Sequence, residues 1–297
     1  MASAVLGGTP ARAGRVRTLR PGVWLLPPLA ALGFAFLYPL ALVALQSFAP
    51  DGGGHSVEPW REVLASAAFR AALWNTVWIA SGATAGCLAL GFFLALVIAF
   101  VPFPGARAFG RFIDTFLAFP SFLIALALVF IYGSAGMANG LLTGLTGAQG
   151  TPIAFLATPW GVLLAEVTYF TPFVMRPLLA AFSQVDAAQI ETASSLGARP
   201  WRIVRQVILP EALPSLAAGG SLALVMCLNE FGIVLFTGAK GVSTLPTLVY
   251  SRAILQSDYP AACVIAMVNV LLSVALYGVY RLCVRGRRER GGSRAGA

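Results

Sequence analysis

Six stretches of this 297-residue chain, 22–48, 73–101, 116–132, 159–175, 212–236 and 261–280, are almost free of charge. The hydrocarbon core of a bilayer is ~30 Å thick and takes about 20 apolar residues to cross as a helix. Within lipid only a helix or a closed barrel satisfies every backbone N–H and C=O. A barrel strand needs only about 10 residues and alternates polar with apolar, which these runs do not. The expected fold is therefore an all-α membrane protein with six transmembrane helices. The third and fourth runs are the shortest, and Glu166 and Glu230 interrupt the fourth and fifth. With 58% hydrophobic and 10% charged residues, the chain is far from the roughly 25% charged of a soluble domain.

Arginine placement orients the helices, because Lys and Arg are retained on the cytoplasmic side. Sixteen arginines precede the first run, separate runs two and three, separate runs four and five, or end the chain; the opposite loops hold only Arg61, Arg70, Lys240 and Arg252. Both termini are therefore expected to be cytoplasmic. The same clustering accounts for the net charge of +9 through topology and anionic lipid, so membrane lipid and not nucleic acid is the expected partner of the basic residues. The first run is too long for the 7–15 residue core of a signal peptide and reads as an uncleaved anchor.

Residues 1–21 read as a cytoplasmic tail, 22–285 as one six-helix membrane domain and 286–297 as a basic cytoplasmic tail without apolar periodicity. An amphipathic stretch from Glu58 to Phe69 should form a short interfacial helix on the outer face, and the glycine-rich segment after the third run a short re-entrant or interfacial helix. Cys87, Cys227 and Cys263 lie inside the runs and Cys283 ends the last, with no C-x-x-C, which suits packing between helices.

The chain has no G-x-x-x-x-G-K-[ST] loop, its only lysine, Lys240, following Ala239. His55, its single histidine, lies in a loop, which leaves no histidine pair for zinc and no Ser/His dyad within the bilayer. A catalytic role for this chain alone is not expected.

The most polar internal segment, "IETASSLGARPWRIVRQVILPEALPSL", begins at Ile190. Asp186 can cap a helix, with Gln189 completing a reciprocal box. Gly197 supplies a positive φ to end that helix, Pro200 suits the first turn of a second, and Pro210 closes it. Ala187, Ile190, Ala193, Gly197, Trp201, Val204 and Ile208 recur at helical spacing, while Arg199, Arg202 and Arg205 line another side. Each arm is too short to span. The spacing alone leaves two readings open, a helix pair resting on lipid head groups or a cytoplasmic knob that docks on a partner.

The segment resembles the EAA loop of membrane subunits of ATP-binding cassette importers, whose pattern is E-A-A, three residues, Gly, nine residues, Ile, one residue, Leu-Pro. Glu191, Ala193, Gly197, Leu209 and Pro210 match at that spacing, with Thr192 for the first Ala and Val207 for Ile. Asn75-Thr76 resembles the Asn-Ser/Thr that opens the family's core, so the likeness covers about 73–280, with the loop at 187–210 between helices four and five. The resemblance implies a permease subunit that pairs with a second permease chain, identical or paralogous, and receives cargo from a periplasmic binding protein. Its corner, with Glu191, Ala193, Gly197, Arg199, Leu209 and Pro210, would dock on separate ATPase subunits. No cofactor is expected on this chain, since ATP would be bound by that separate subunit.

An ionisable residue within a span marks a functional site by default. Glu230 with its neighbour Asn229, then Glu166 and Tyr169, are the candidates for the translocation path, and a conformational hydrogen bond between helices is the alternative for each acid. The stretches "NEFGIVLFTGAKGVSTLPTLVYSRAI" and "MRPLLAAFSQVDAAQIETASSLGA" are similar to permeases for 2-aminoethylphosphonate within a group that also handles polyamines, sulfate, molybdate and ferric iron. A secondary transporter is the runner-up, though it would call for more helices, inverted repeats and broken helices at the midplane.

Overall fold

The computed structural model describes residues 25–49, 54–147, 151 and 154–292; the N-terminal tail expected at 1–21 lies outside them. Six helices among the described residues are long and apolar enough to cross a membrane, 26–46, 67–100, 121–146, 159–182, 200–228 and 259–282.

The chain begins with α1 (Leu26–Gln46), which packs beside the last helix and buries none of its own residues. A short α2 (Glu58–Ala65) follows where the interfacial helix was expected, but it stops at Ser66. There the backbone extends, and the Ser66 hydroxyl accepts from Phe69 N–H at 3.1 Å, capping α3 (Ala67–Phe100). At 34 residues and ~1.5 Å per residue, α3 overshoots the hydrocarbon layer. Its Asn75-Thr76 pair has a definite structural task. Asn75 Nδ2 donates to Ser243 O at 3.0 Å, and Thr76 Oγ1 accepts from Leu245 N–H at 2.8 Å, so the pair holds a loop some 170 residues away in sequence.

The expected run 116–132 divides. Its first residue belongs to α4 (Ala106–Phe116), a strongly amphipathic helix, and Pro120 interrupts the chain before α5 (Ser121–Tyr132). Twelve residues reach only about 18 Å, and the span is completed beyond a Gly133–Gly136 break by α6 (Met137–Thr146), the helix expected from the glycine-rich segment.

Next come α7 (Pro159–Phe182), α8 (Ala187–Ser195), α9 (Pro200–Ile203), a π turn (Val204–Ile208) and α10 (Leu209–Leu228). The fifth run does not continue to Phe236. It breaks after Leu228 and resumes as α11 (Gly232–Thr237), followed by α12 (Leu245–Tyr250), a second π turn (Ser251–Leu255) and α13 (Tyr259–Gly292). Residues 286–292, expected as tail, are helical continuations of α13, and 293–297 lie outside the described residues.

The centre is a three-helix packing of α3, α7 and α10. Ala80, Ala83 and Cys87 of α3 meet Ala165, Val174 and Leu178 of α7 and Ala223 and Leu228 of α10, all essentially buried. Without a hydrophobic drive between helices in lipid, association depends on close van der Waals packing, which is why small residues line these crossings. At the end far from the α8–α9 corner, α2, α3, α12 and α13 form a second core around Phe69, Ala72, Leu245, Val264 and Ile265.

Candidate functional site

The corner is built from local bonds. Asp186 caps α8 by accepting Ala188 N–H at 2.9 Å; the reciprocal bond expected from Gln189 is not made among the described residues. At the other end Gly197 N–H bonds Ser194 O at 2.9 Å and Ala198 N–H bonds Ala193 O at 3.0 Å, with Gly197 at φ +76°. This is a Schellman ending, which satisfies orphan carbonyls and turns the chain sharply. Pro200 starts α9 as expected.

Pro210 does not close the second arm. The helical path runs on through the π turn into α10. A π turn just before a proline shifts the backbone register where the pyrrolidine ring would otherwise meet the preceding turn, so the arm and the span join as one bent rod.

The face that packs on the membrane core consists of Ile190, Ala193, Ala198, Ile203, Val204, Val207 and Ile208. Ala187 and Trp201, expected on that face, are exposed. Trp201 (73% exposed) and Leu196 (84%) instead form the apolar tip of the corner, flanked by exposed Arg199, while Glu191 is exposed on α8, Pro210 is exposed farther along the rod and Leu209 is half-buried. Leu196 was not singled out by the sequence; its place between the α8 face and the turn glycine was the available signal.

Deep in the membrane region, Glu166, Tyr169 and Glu230 come together. Glu166 is fully buried on α7, with Cys87 and Cys227 beside it, and its Oε2 has no hydrogen-bond partner. Glu230 lies within electrostatic reach of both Glu166 and Tyr169. The Tyr169 hydroxyl donates to Phe119 O at 3.0 Å and so ties α7 to the break before α5.

Glu230 itself makes the α10–α11 break. Its Oε1 accepts Ile233 N–H at 2.8 Å, capping α11, and the Ser121 hydroxyl at 3.0 Å, at the start of α5. The conformational alternative thus describes this oxygen. Hydrogen bonds to charged groups contribute about 1.5–3 kcal/mol. Glu230→Gln, whose amide oxygen can accept both bonds, should keep most of the stability, and Glu230→Leu should lower the thermal midpoint of the purified protein clearly. If Glu230→Gln is stable but transports poorly, the charge matters beyond capping.

Asn229 points elsewhere. It is exposed, its Nδ2 donates to Val225 O at 2.8 Å and reaches Ser273 Oγ at 3.4 Å, and its Oδ1 accepts from Asn269 Nδ2 at 3.0 Å. Asn269 on α13 is buried and its Oδ1 is unpaired. A polar junction between α10 and α13 therefore forms without either acid. Ser121 and Asn269 were missed because a search keyed on charge passes over single neutral polar residues in apolar runs.

Residues 88–289 match the family described as binding-protein-dependent transport system inner membrane component. The chain is 54% identical over 264 residues, 89% of its length and 92% of the relative's, to a protein of Salmonella typhimurium provisionally named the 2-aminoethylphosphonate transport system permease protein PhnU. It is 34% identical over 189 residues, 63% of this chain and 66% of the relative, to the sulfate transport system permease protein CysT of Synechococcus elongatus. A crystal structure of a bacterial ABC transporter involved in alginate import shares the fold, with a TM-score of 0.76 at 18% identity over 89% of this chain and 94% of that one. The MetNI methionine transporter in an inward-facing conformation matches at a TM-score of 0.56 and 18% identity, over 77% of this chain and 98% of that one. With its six apolar helices and a match over two thirds of its length, the chain belongs to the binding-protein-dependent transport system inner membrane component family and is a multi-pass inner-membrane permease subunit of an ABC transporter.

Proposed function

We propose that this chain forms half of the translocation path of an importer for 2-aminoethylphosphonate, with both termini and the α8–α9 corner in the cytoplasm. It pairs with a second permease chain and takes cargo from a periplasmic binding protein. The observation that carries the reading is the corner itself: a rigid turn with an apolar tip, Leu196 and Trp201, joined without interruption to α10.

An exposed Leu–Trp tip beside Glu191 and Arg199 suits a cleft on a soluble ATPase subunit better than water, since buried aromatic and apolar anchors dominate interface energetics. ATP is bound and hydrolysed on that subunit and no cofactor is needed here. When the ATPase pair closes, the tip moves; α10, packed along α3 and α7, is pushed as a rod, and the movement reaches the Glu230 break and the Asn229–Asn269 junction. Glu166, Tyr169, Glu230 and Asn229 are the polar groups on the helices so displaced.

The cargo assignment draws on the 54% identity over 89% of the chain to the phosphonate permease relative. Ligand identification on the binding protein encoded beside the gene, with 2-aminoethylphosphonate, putrescine, sulfate and ferric iron in the panel, tests it. Binding of 2-aminoethylphosphonate and ATP-dependent uptake that resists a proton uncoupler are the expected results. A polyamine-only ligand overturns the cargo, and uptake abolished by the uncoupler with ATP still present overturns the importer.

A further inference from the structure

α7 carries Glu166, Tyr169, Phe173 and Arg176 at spacings of three, four and three, which places them on one stripe of the helix. The acid end of that stripe is sealed in the core, but the other end opens. A groove of ≈ 540 Å³ between the end of α4, α7 and α10 is lined by Leu117, Phe173, Arg176, Pro177, Gly219 and Leu222. Arg176 is its one charge. The side chain is 54% exposed, and its Nε forms an ion pair with Asp114 Oδ1 at 2.5 Å.

The ion pair lies on the Nε side of the guanidinium and leaves its two terminal NH2 groups for an oxyanion. Arg176 lies in the last turns of α7, among the arginines that separate the fourth and fifth runs, where an exposed guanidinium reaches water or a polar path and not lipid tails. We propose that Arg176 is the contact for the anionic head of the cargo, the phosphonate, as it passes along the groove beside α7 and α10. The proposal rests on the transport role given above and names a residue and a charge for it.

Two physical features favour passing cargo as the occupant. Arg176 is already charge-paired with Asp114, so it holds an anion weakly enough to release it, as a conduction site must. Arg176 also lies ten residues from Glu166, about 15 Å along the helix, too far for a short N–C–C–P chain to touch both at once. The acid and the guanidinium therefore cannot form one clamp, and Arg176 acts on the phosphonate alone.

The test uses the full transporter, with its ATPase subunits and binding protein, in proteoliposomes carrying out ATP-driven uptake of labelled 2-aminoethylphosphonate. Arg176→Gln should lower the uptake rate about tenfold or more, the usual scale for losing one partner of a charged contact, while ATP hydrolysis stimulated by loaded binding protein persists. Arg176→Lys should retain a substantial part of the rate, since a point charge still meets the anion. Normal uptake in Arg176→Gln overturns the proposal. So does full rescue by exchanging the pair, Arg176→Asp with Asp114→Arg, which would make the bond only a strut between α4 and α7.

A labelling arm gives a readout that a strut would not move. Leu222→Cys on the α10 wall is reacted with a cationic methanethiosulfonate; 2-aminoethylphosphonate should slow the reaction when Arg176 is present and not in Arg176→Gln. Slowing by anionic lipid but not by cargo overturns the assignment in favour of a headgroup site. If the unaltered transporter moves only putrescine, the cargo reading and the Arg176 contact both fall. If it moves sulfate, only the cargo identity falls, and the same arms run with sulfate decide the contact.

Discussion

Gly197→Asp should leave the permease in the membrane at normal amounts and abolish uptake. Gly197 sits at φ +76°, and a Cβ built on it meets nothing within 4 Å. Within the chain the substitution therefore costs only the left-handed backbone strain, about 1–2 kcal/mol, too little to unfold a three-helix core. The open space around the residue leaves no second cost from obstruction of the corner inside the subunit.

The carboxylate instead points outward from the turn, beside Leu196 and Trp201, where the proposed ATPase cleft must close. An unpaired charge in such a contact needs to cost only about 1.4 kcal/mol to weaken docking tenfold. Gly197→Ala, which carries the strain without the charge, should be the milder variant. Membrane content by immunoblot, together with uptake and co-purification of the ATPase, checks this. Normal uptake in Gly197→Asp and Glu191→Arg alike would remove the docking role from the corner.

Gly91→Leu should have the opposite signature, with loss of folded protein before any question of transport. Gly91 lies where α3 crosses α7, and a Cβ there would sit 3.1 Å from Val174 Cβ and Cγ1 and 3.3 Å from Thr171 O. Val174 is β-branched and stiff at χ1, and the carbonyl belongs to the α7 backbone, so neither yields cheaply. Overpacking of this kind costs about 1–3 kcal/mol even for modest insertions, and a leucine adds three carbons beyond the first. The expected result is a sharp fall in monodisperse protein after detergent extraction, with Gly91→Ala intermediate and partly restored by Val174→Ala. An unaffected thermal midpoint in Gly91→Leu would mean that the α3–α7 crossing is looser than its buried contacts indicate.

The two glycines also mark how far the residues could be read in advance. Gly197 was legible because its role is local: a glycine three residues before a proline, after a cappable helix, has few other uses. Gly91 was not, because nothing in a glycine within an apolar run says which helix approaches it. The same division runs through the polar residues. Glu166, Tyr169 and Glu230 were picked out as rare polar groups in greasy runs, and the fold brings them together. That Glu230 ends one helix and starts another was hidden, since the run from 212 to 236 is apolar on both sides of the break. Asn229, adjacent in sequence to Glu230, bonds to Asn269 of α13 instead, because both residues lie at the break after Leu228, where no helical period relates their side chains.

The amino-acid order alone determined that this protein lives in a bilayer, that six helices cross it and that a bent corner stands between the fourth and fifth. Lipid imposes its demand run by run, and a turn needs only its own few residues, so both are local. The tertiary structure alone decided which polar groups share a site. Ser121 meets Glu230 across 109 residues and Asn229 meets Asn269 across 40, and Arg176 finds Asp114 on another helix. Such pairings depend on how helices rotate and cross, and that is fixed by small-residue packing among α3, α7 and α10, which no single stretch of the chain contains.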